Sequence, residues 1–412
     1  MTSFHAPPDP SRRAALGLMA GGLALGSLAA CKPKPHKQVA VAEKPVPPLK
    51  RAIQHWPTLD ALGDRMVKLR FTPGVSLSVM HKGTLLYSRG FGDSNMADNR
   101  PVTPQTGFRI ASVTKQFTAA AILVLQEQGK LSVHDKLSRF LPDFPQSERV
   151  NLAQMMSHTS GMNDYLNHQR QSVLDEAQHR DYTSPELFSI IAAVHPPYSA
   201  PPGTRWLYSN SAFSLLGIAV ERASGMNLAK FCQTHLFEPA GMAQTSIDES
   251  CTAFTGCTGY RPNFRAHTGF DTILPISPTF GGGAGGIAST TEDLARWHSA
   301  LLGGRILKAA SLNQMITPML LNSGKPAWEV VGPERLNYGF GQGIGKLDGR
   351  TFIAHGGRLN GFTSHLRSLV HEQLTVAVLY NCDGTGVPGY TNAQRALRIE
   401  AMRLGLDKIS KA

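Results

Sequence analysis

The pentapeptide Ala111-Ser112-Val113-Thr114-Lys115 begins an apolar-periodic segment, and it decides how the rest of the chain is interpreted. Hydrophobic residues recur at roughly 3.6-residue spacing as far as Leu125 and a glycine follows, so the sequence predicts a helix. Residues three apart share a helix face, which brings the Ser112 hydroxyl toward the Lys115 amine. A serine needs such a neighbouring base to act as a nucleophile. Because the motif is short, an ordinary helix with Ser112 as N-cap and Lys115 in solvent is the alternative.

Two later motifs supply further groups that such chemistry uses. Tyr208-Ser209-Asn210 follows the turn-forming run Pro201-Pro202-Gly203-Thr204-Arg205-Trp206, which is expected to hold the tyrosine on a rigid loop. His355-Gly356-Gly357 ends a short apolar strand at 351–354, and its glycines permit a close approach of backbone to ligand. Alone, the first motif is typical of a packed loop and the second of a turn. Together and in this order, they predict a serine acyl-transfer site.

In these motifs the sequence resembles the serine β-lactamase and penicillin-binding-protein superfamily, in its class C β-lactamase-like branch. The stretches that carry the resemblance are 108–115, 156–162, 202–204, 208–210, 237–242, 284–290 and 355–357. The resemblance implies an α+β fold of the β-lactamase/transpeptidase-like type. In that fold an antiparallel sheet is flanked by helices, a helical lobe is inserted at about 112–240, and the active site lies between the lobes.

The same resemblance gives each motif a role in catalysis. Ser112 is expected to attack a carbonyl carbon and form an acyl-enzyme, while Lys115 and Tyr208 exchange its proton. Which of these two is the base stays open. Asn210 is expected to orient the lysine and to bind the substrate's amide side chain. The backbone amides of Ser112 and Arg358 are expected to hold the oxyanion.

The third motif departs from the β-lactamase pattern. Gly356 stands where β-lactamases and D-Ala-D-Ala peptidases usually have Thr or Ser, so a hydroxyl that helps to bind the substrate carboxylate is missing. His355, as a cation or a donor, and Gly357 remain substrate-binding candidates. Arg358 or Arg367 is a candidate for anion binding, and a solvated surface position is the alternative for both, above all for Arg367. The departure argues against efficient β-lactam hydrolysis.

The first 51 residues predict export and membrane attachment. Arg12 and Arg13 precede an apolar run that ends in the lipobox-like Leu28-Ala29-Ala30-Cys31. These features predict a twin-arginine-type lipoprotein signal peptide at 1–30, lipidation of Cys31, and a position on the periplasmic face of a bacterial membrane, with the inner or outer leaflet open. A retained signal anchor is the alternative. Residues 31–51 are basic and rich in Pro and Lys, so they predict an extended tether.

The rest of the chain, residues 52–406, is long enough for one two-lobed hydrolase domain with a sizeable core. Alternating apolar residues at both ends of this region predict one antiparallel sheet, and the apolar periodicity near the end predicts an amphipathic helix. The predicted elements are a hairpin at 74–87, strands at 351–355, 363–369 and 374–380, and a helix at 391–404. Residues 243–280 and 321–337 lack clear periodicity and are expected to form loops around the active site.

Composition and spacing argue against other classes of protein. The formal net charge is +12, but no helix-turn-helix, zinc finger or basic stripe with interleaved aromatic residues is present, so no nucleic-acid partner is expected. No metal or cofactor is expected, because His and Cys residues lack ligand spacing and no nucleotide motif lies in a βαβ context. Cys251 and Cys257 are the nearest candidates for a disulfide, and buried free thiols are the alternative.

These observations predict a serine hydrolase that acts on amide or ester bonds, as a D-amino-acid peptidase or carboxypeptidase, or as an esterase. A β-lactamase proper, a penicillin-binding sensor that stays acylated, and a non-catalytic envelope scaffold are the alternatives. The expected partners are a small-molecule or peptide substrate, for which the cell wall is one source, and the membrane through Cys31.

Overall fold

The computed structural model describes residues 48–247, 250, 254, 256–263, 269–331, 334–384 and 386–411. The predicted signal peptide, the lipidation site Cys31 and most of the predicted tether lie outside these residues. Cys251 also lies outside them, so its pairing with Cys257, whose side chain is buried, stays a prediction. Among the described residues, no helix combines the length and the apolar character needed to cross a membrane.

A ten-stranded sheet forms the centre of the fold. The strands in chain order are β1 (Lys50–Arg51), β2 (Gly74–His81), β3 (Thr84–Asn95), β4 (Arg100–Pro101), β5 (Phe108–Arg109), β6 (Ser246–Ile247), β7 (Tyr260–Asn263), β8 (Gly269–Thr272), β9 (Ile287–Ser289), β10 (Trp328–Val331), β11 (Glu334–Tyr338), β12 (Gly343–Leu347), β13 (Arg350–Leu359), β14 (Phe362–Leu369) and β15 (Leu374–Tyr380). The large sheet has the order β1-β3-β2-β15-β14-β13-β12-β11-β10, with β4 beside β3. Its pairs are antiparallel except β1 with β3.

Helices cover both faces of this sheet. They are α1 (Pro57–Lys68), α2 (Thr114–Glu127), α3 (Leu152–Met156), α4 (Gln171–Glu176), α5 (Ser184–Ala192), α6 (Asn210–Ser224), α7 (Leu228–Cys232), α8 (Glu238–Ala240), α9 (Pro278–Gly285), α10 (Thr291–Leu302), α11 (Ala309–Met315) and α12 (Tyr390–Ser410). Side chains alternate between the two faces of a strand. On β2, Val75 and Leu77 therefore join the core formed with α1 and α12, whereas Ser76 and Ser78 hydrogen-bond Thr291 at the start of α10.

Helix α2 is the centre of a second hydrophobic core, which lies on the face of the sheet opposite to α1 and α12. Its residues from Thr114 to Leu125 are buried, and Phe117 stacks on Trp297 with ring centroids 4.2 Å apart. Replacing a fully buried Phe by Ala typically costs about 3–5 kcal/mol of folding stability. Packing on all sides therefore fixes the helix that follows Ser112, and this rigidity positions the residues of its first turn.

Most elements predicted from the sequence are present, but the structure differs from the predictions in four places. The predicted loops at 243–280 and 321–337 contain the pairs β7–β8 and β10–β11, whose strands are held by cross-strand pairing rather than by an alternating apolar pattern. Lys50 and Arg51 belong to the sheet instead of the tether, because Arg51 forms an ion pair with Glu292 at 2.6 Å. The helix predicted at 391–404 extends from Tyr390 to Ser410. Finally, 355–357 lies inside β13 and not after it, because β14 pairs with β13 along its length.

Candidate active site

Ser112 lies in a 3-10 turn, Ala111–Val113, that leads directly into α2. Ala111 before it has a φ of 48°, a left-handed conformation that is uncommon for a residue with a Cβ. Such strain is tolerated when the surroundings determine the backbone, and it is frequent at functional sites. Val113 is fully buried and Ser112 is partly exposed, so the turn presents the serine hydroxyl to solvent.

Lys115 is fully buried, and its amine is surrounded by oxygen atoms. Its Nζ lies 3.0 Å from Ser112 Oγ, 2.8 Å from Asn210 Oδ1 and 2.9 Å from the carbonyl oxygen of Ala284. The last two atoms can only accept hydrogen bonds. A neutral amine that donates its two hydrogens to them is left with its lone pair on the side of Ser112 Oγ. The predicted serine–lysine pair is therefore present, and the alternative of a solvated lysine is wrong.

The surroundings of Lys115 favour the neutral form of its amine more than the surroundings of a surface lysine do. Burial lowers the pKa of its amine to about 7, and the negative charge of Asp164 opposes this effect. Loss of hydration disfavours an ammonium ion inside a protein, which is the physical cause of the shift. Near neutral pH, a substantial fraction of the protein molecules thus carries a lysine that can accept a proton.

Tyr208 occupies the loop before α6, and its hydroxyl donates to Ser112 Oγ at 2.7 Å. The loop is held by the backbone: the amide of Gly203 donates to the carbonyl of Thr159, and the amide of Leu207 donates to that of His158, both at 2.7 Å. The His158 ring also packs against the tyrosine ring, with centroids 4.3 Å apart. Burial raises the pKa of Tyr208 well above its ordinary value, so the phenol stays protonated.

Asn210 and Asp164 form a support behind the lysine. Asp164 Oδ2 accepts hydrogen bonds from Asn210 Nδ2 at 2.7 Å and from the Asn210 backbone amide at 3.2 Å. This contact fixes the amide so that Oδ1 faces Lys115, as expected for an orienting residue. The expected contact of Asn210 with a substrate amide stays a prediction. Asp164 was not among the predicted residues, because it precedes Asn210 by 46 positions and no local pattern connects them.

His355 lies beside the nucleophile on β13, but its role differs from the predicted one. Its Nδ1 lies 2.5 Å from the carbonyl oxygen of Gly356, and its Nε2 lies 2.8 Å from the hydroxyl of Tyr338. A carbonyl only accepts, so Nδ1 carries the proton and Nε2 accepts from the tyrosine. Burial, with the nearby charge of Lys115, lowers the pKa of the imidazole to about 3. The suggestion that His355 supplies a cation is therefore wrong.

The two glycines of β13 face different surroundings. A Cβ on Gly357 would lie 2.3 Å from the carbonyl oxygen of Ile110 and 3.0 Å from the amide nitrogen of Ser112. Only a glycine lets the strand pass this close to the nucleophile. A Cβ on Gly356 would lie 3.3 Å from the ring of His365, on the other side of the strand. Arg358 comes next in the chain and lines the cavity over Ser112, in agreement with a role of its amide at the oxyanion.

Arg367 is neither an anion-binding group of the active site nor a solvated surface residue. Its guanidinium is buried, donates to Glu334 Oε2 at 2.6 Å, and stacks over the ring of Phe352 at 3.9 Å. The carboxylate neutralises its charge, and its pocket is separate from the one that contains Ser112. Both interpretations of Arg367 made from the sequence are therefore wrong, which leaves Arg358 as the candidate.

A cavity of about 440 Å³ opens over the nucleophile, and we call it the active-site cavity. Its lining includes Ser112, Tyr208, Asn210 and the 355–358 segment, so the structure brings all the predicted motifs together. It also includes side chains that were not among the named site residues: Tyr165, Leu166 and Leu359, and, from the segments expected to surround the site, Ile276, Phe280 and Glu329. Within the described ranges, no group of three or more His, Cys, Asp or Glu residues is arranged to hold a metal ion.

Comparisons with known proteins place this geometry in a family. The beta-lactamase family model matches residues 59–401. Penicillin-binding protein 4* of Bacillus subtilis (strain 168) is 28% identical over 310 residues, which are 73% of this chain and 66% of that protein. A D-aminopeptidase of Gluconobacter oxydans (strain 621H) is 28% identical over 312 residues, 75% of this chain and 56% of that protein. The chain thus spans less than two thirds of the length of these curated relatives.

A solved structure supports the same assignment. The octameric penicillin-binding protein homologue from Pyrococcus abyssi superposes with a TM-score of 0.70 and 26% identity, over 84% of this chain and 77% of that one. The predicted fold class is therefore confirmed. Because the family match spans most of the chain and includes Ser112, Tyr208 and His355, the chain belongs to the beta-lactamase family, as its motifs predict.

Proposed function

We propose that this protein is a serine hydrolase that cleaves amide or ester bonds of D-amino acid derivatives through an acyl-enzyme at Ser112. One observation carries the proposal: Ser112 Oγ lies within hydrogen-bond distance of both Lys115 Nζ and the Tyr208 hydroxyl. A nucleophile held between an amine base and a phenol donor has the groups needed to lose one proton and to deliver another.

Lys115 is the base in this mechanism, a role for which the sequence left both Lys115 and Tyr208 as candidates. Its lowered pKa supplies a neutral amine near neutral pH, whereas the raised pKa of Tyr208 keeps the phenol protonated. As Ser112 Oγ bonds to the substrate carbonyl carbon, its proton moves to Lys115 Nζ. The carbonyl π electrons move to oxygen, where the amides of Ser112 and Arg358 stabilise the negative charge.

The leaving group then needs a proton, and Tyr208 is placed to give it. As the bond from the carbonyl carbon to the leaving nitrogen or oxygen breaks, the Tyr208 hydroxyl protonates that atom. Lys115 returns the proton to the tyrosine, so the pair ends in its starting state. Water next attacks the acyl-enzyme with the same groups in reverse order, which releases the acid and restores Ser112.

The substrate class follows from the relatives and from the cavity. The relative from Gluconobacter oxydans is a D-aminopeptidase, which supports a substrate with a D-amino acyl group for this chain. The apolar side chains of Tyr165, Ile276 and Phe280 line the cavity and suit an apolar side chain on that group. Gly356 offers no hydroxyl and His355 no charge for a carboxylate, so hydrolysis of β-lactams is not favoured.

Hydrolysis of paired enantiomers tests this proposal. The purified protein is incubated with D-alaninamide, L-alaninamide and the two matching p-nitrophenyl esters, beside Ser112→Ala. The proposal predicts release of product from the D compounds, faster than from the L compounds, and no release above background by the variant. Equal release by the Ser112→Ala protein contradicts it, because the hydroxyl is then not the nucleophile.

We also propose that the protein is exported and anchored by a lipid on Cys31, with substrates that reach it in the cell envelope, cell-wall peptides among them. The proposal rests on the Arg12-Arg13 pair and the Leu28-Ala29-Ala30-Cys31 sequence. Expression of the full chain in a bacterium, followed by fractionation and intact mass, tests it. Lipidated protein that begins at Cys31 is expected in the membrane fraction. A Cys31→Ala chain that is processed and fractionates identically contradicts it.

A further inference from the structure

One carboxylate in the active-site cavity has no role in the mechanism above. Glu329, on β10 at the edge of the sheet, is half-buried and lines the cavity with Ser112 and Tyr208. The absence of a side chain on Gly343 makes room for it: a Cβ there would lie 2.7 Å from Glu329 Oε1. Burial raises the pKa of its carboxyl to about 7.

This carboxylate differs from the other sheltered acids of the fold because it lacks a partner. Glu334 binds Arg367, Glu292 binds Arg51, and Asp164 binds Asn210. Within the part of the chain that the structure describes, the Glu329 carboxylate makes no hydrogen bond or ion pair. Burial of an unpaired carboxylate is unfavourable. A cationic ligand beside Glu329 would therefore gain more binding free energy than the same ligand beside an exposed acid.

The position of Glu329 indicates which part of the substrate it would contact. Its negative charge raises the pKa values of both Tyr208 and Tyr338. By contrast, Glu329 is not among the groups that shift the pKa of Lys115, on which Asp164 acts; the charge of Asp164 also reaches Tyr208. Geometry agrees, because Glu329 Oε1 lies against Gly343, which pairs with Tyr338 across β11 and β12, and Glu329 lines the cavity together with Tyr208. Glu329 therefore lies toward the tyrosine of the catalytic pair. The tyrosine is the group that protonates the leaving atom, so this region of the cavity receives the leaving group.

We propose that Glu329 selects the leaving group: its carboxylate favours amides and esters whose leaving portion is positively charged, accepts neutral ones, and rejects those that end in a free carboxylate. This inference rests on the proposed hydrolase function and narrows it. The chain then removes amines, alcohols or cationic residues from an acyl group, and does not act as a carboxypeptidase that releases an amino acid with a free carboxylate.

Three substrates with nearly the same shape test the inference. D-alanyl-glycine, D-alanyl-glycinamide and the mono-D-alanyl amide of ethylenediamine have leaving groups with a carboxylate, a neutral amide and an ammonium. At about pH 8.5, a carboxyl with a pKa of about 7 is ionised. The wild-type kcat/KM is expected to be highest for the ammonium and lowest for the carboxylate, with about tenfold between successive substrates, since charges in a partly buried site interact strongly.

Glu329→Gln keeps the shape of the side chain and removes its charge. It is expected to lower kcat/KM about tenfold for the ammonium substrate and to raise it about tenfold for the carboxylate, with the neutral substrate changed less than about twofold. Asp348→Asn is the matched control, because it removes an exposed carboxylate from the turn between β12 and β13, and it is expected to preserve the order.

Three results would overturn the inference. If Glu329→Gln preserves the order of the three substrates, or lowers all three equally, Glu329 has a structural role and selects nothing. If the wild-type protein hydrolyses none of the three, nor any p-nitrophenyl ester, in a manner that depends on Ser112, the proposed hydrolase function fails and this inference with it. Ser112-dependent ester hydrolysis with no preference among leaving groups contradicts the inference alone.

Discussion

Tyr208 and Lys115 contact the same atom: the tyrosine hydroxyl lies 2.7 Å from Ser112 Oγ, and the lysine Nζ lies 3.0 Å from it. Burial acts on both groups and shifts their pKa values in opposite directions, downward for the amine and upward for the phenol. Burial thereby favours the neutral form of each group in the free protein. A neutral amine can accept a proton and a neutral phenol can donate one, so burial accounts for the different roles of the two groups.

The pH dependence of acylation follows from the pKa of Lys115. Only the unprotonated amine accepts the serine proton, so kcat/KM for a neutral ester is expected to rise as the pH increases through about 7 and then to level off. The profile is measured in Glu329→Gln as well, since that carboxyl has a pKa in the same range. A rise that disappears with the glutamate would assign it to Glu329 and contradict the role of Lys115.

Asp164→Asn tests the electrostatic coupling behind the lysine. The charge of Asp164 raises the pKa of Lys115, so its removal is expected to move the acid limb of the pH profile to lower pH. The maximal rate is expected to fall, because asparagine has one accepting oxygen where Asp164 uses two, one for Asn210 and one for the backbone amide of Leu166. An acid limb that stays in place or moves to higher pH contradicts the coupling, whatever happens to the maximal rate.

Tyr208→Phe removes the donor to Ser112 and keeps the ring that packs on His158. The loss of a positioned proton donor is expected to lower kcat/KM by about 10²–10⁴ for amides, whose leaving nitrogen must be protonated. For p-nitrophenyl esters, whose leaving group needs no proton, the loss is expected to be much smaller. Steady-state rates on both substrates are compared, and an equal loss on both would argue that the phenol serves only the first step.

The glycine pair of β13 provides a matched test of close packing. Gly357→Ala places a methyl group 2.3 Å from the Ile110 carbonyl, and such overpacking typically costs about 1–3 kcal/mol, with displacement of Ser112 and loss of activity. The methyl group of Gly356→Ala has the His365 ring, at 3.3 Å, as its nearest neighbour, so this change is expected to cost less than about 1 kcal/mol and to keep activity. Thermal unfolding and ester hydrolysis are measured for both. Equal effects would mean that the strand shifts freely and does not define the site.

Local patterns predicted the nucleophile, its lysine and the tyrosine because each lies in a segment with its own signal. Ser112 and Lys115 are three apart before an apolar helix, and Tyr208 follows a run of turn residues. Similarly, the strands of the chain ends alternate in hydrophobicity, so the sheet was predictable. The conformation of these elements is determined mainly by residues that are close together in the sequence, and tertiary contacts stabilise that same conformation.

The parts that were not predicted depend on contacts between distant segments. Asp164, Tyr338 and Glu329 reach the site from three separate elements, and no sequence motif surrounds any of them. The pairs β7–β8 and β10–β11 were expected to be loops because Pro262 and several polar residues interrupt any alternation. The charge of His355 was not predictable either, since the structure buries its ring and engages both nitrogen atoms.

Intact-mass analysis of the covalent intermediate tests the central claim most directly. The protein is mixed with the p-nitrophenyl ester of an N-acylated D-alanine, quenched in acid within the first turnovers, and weighed beside Ser112→Ala. The account predicts a mass increase of one acyl group, mapped to the peptide that contains Ser112 and absent from the variant. An adduct on another residue, or the same adduct on the Ser112→Ala protein, would contradict it.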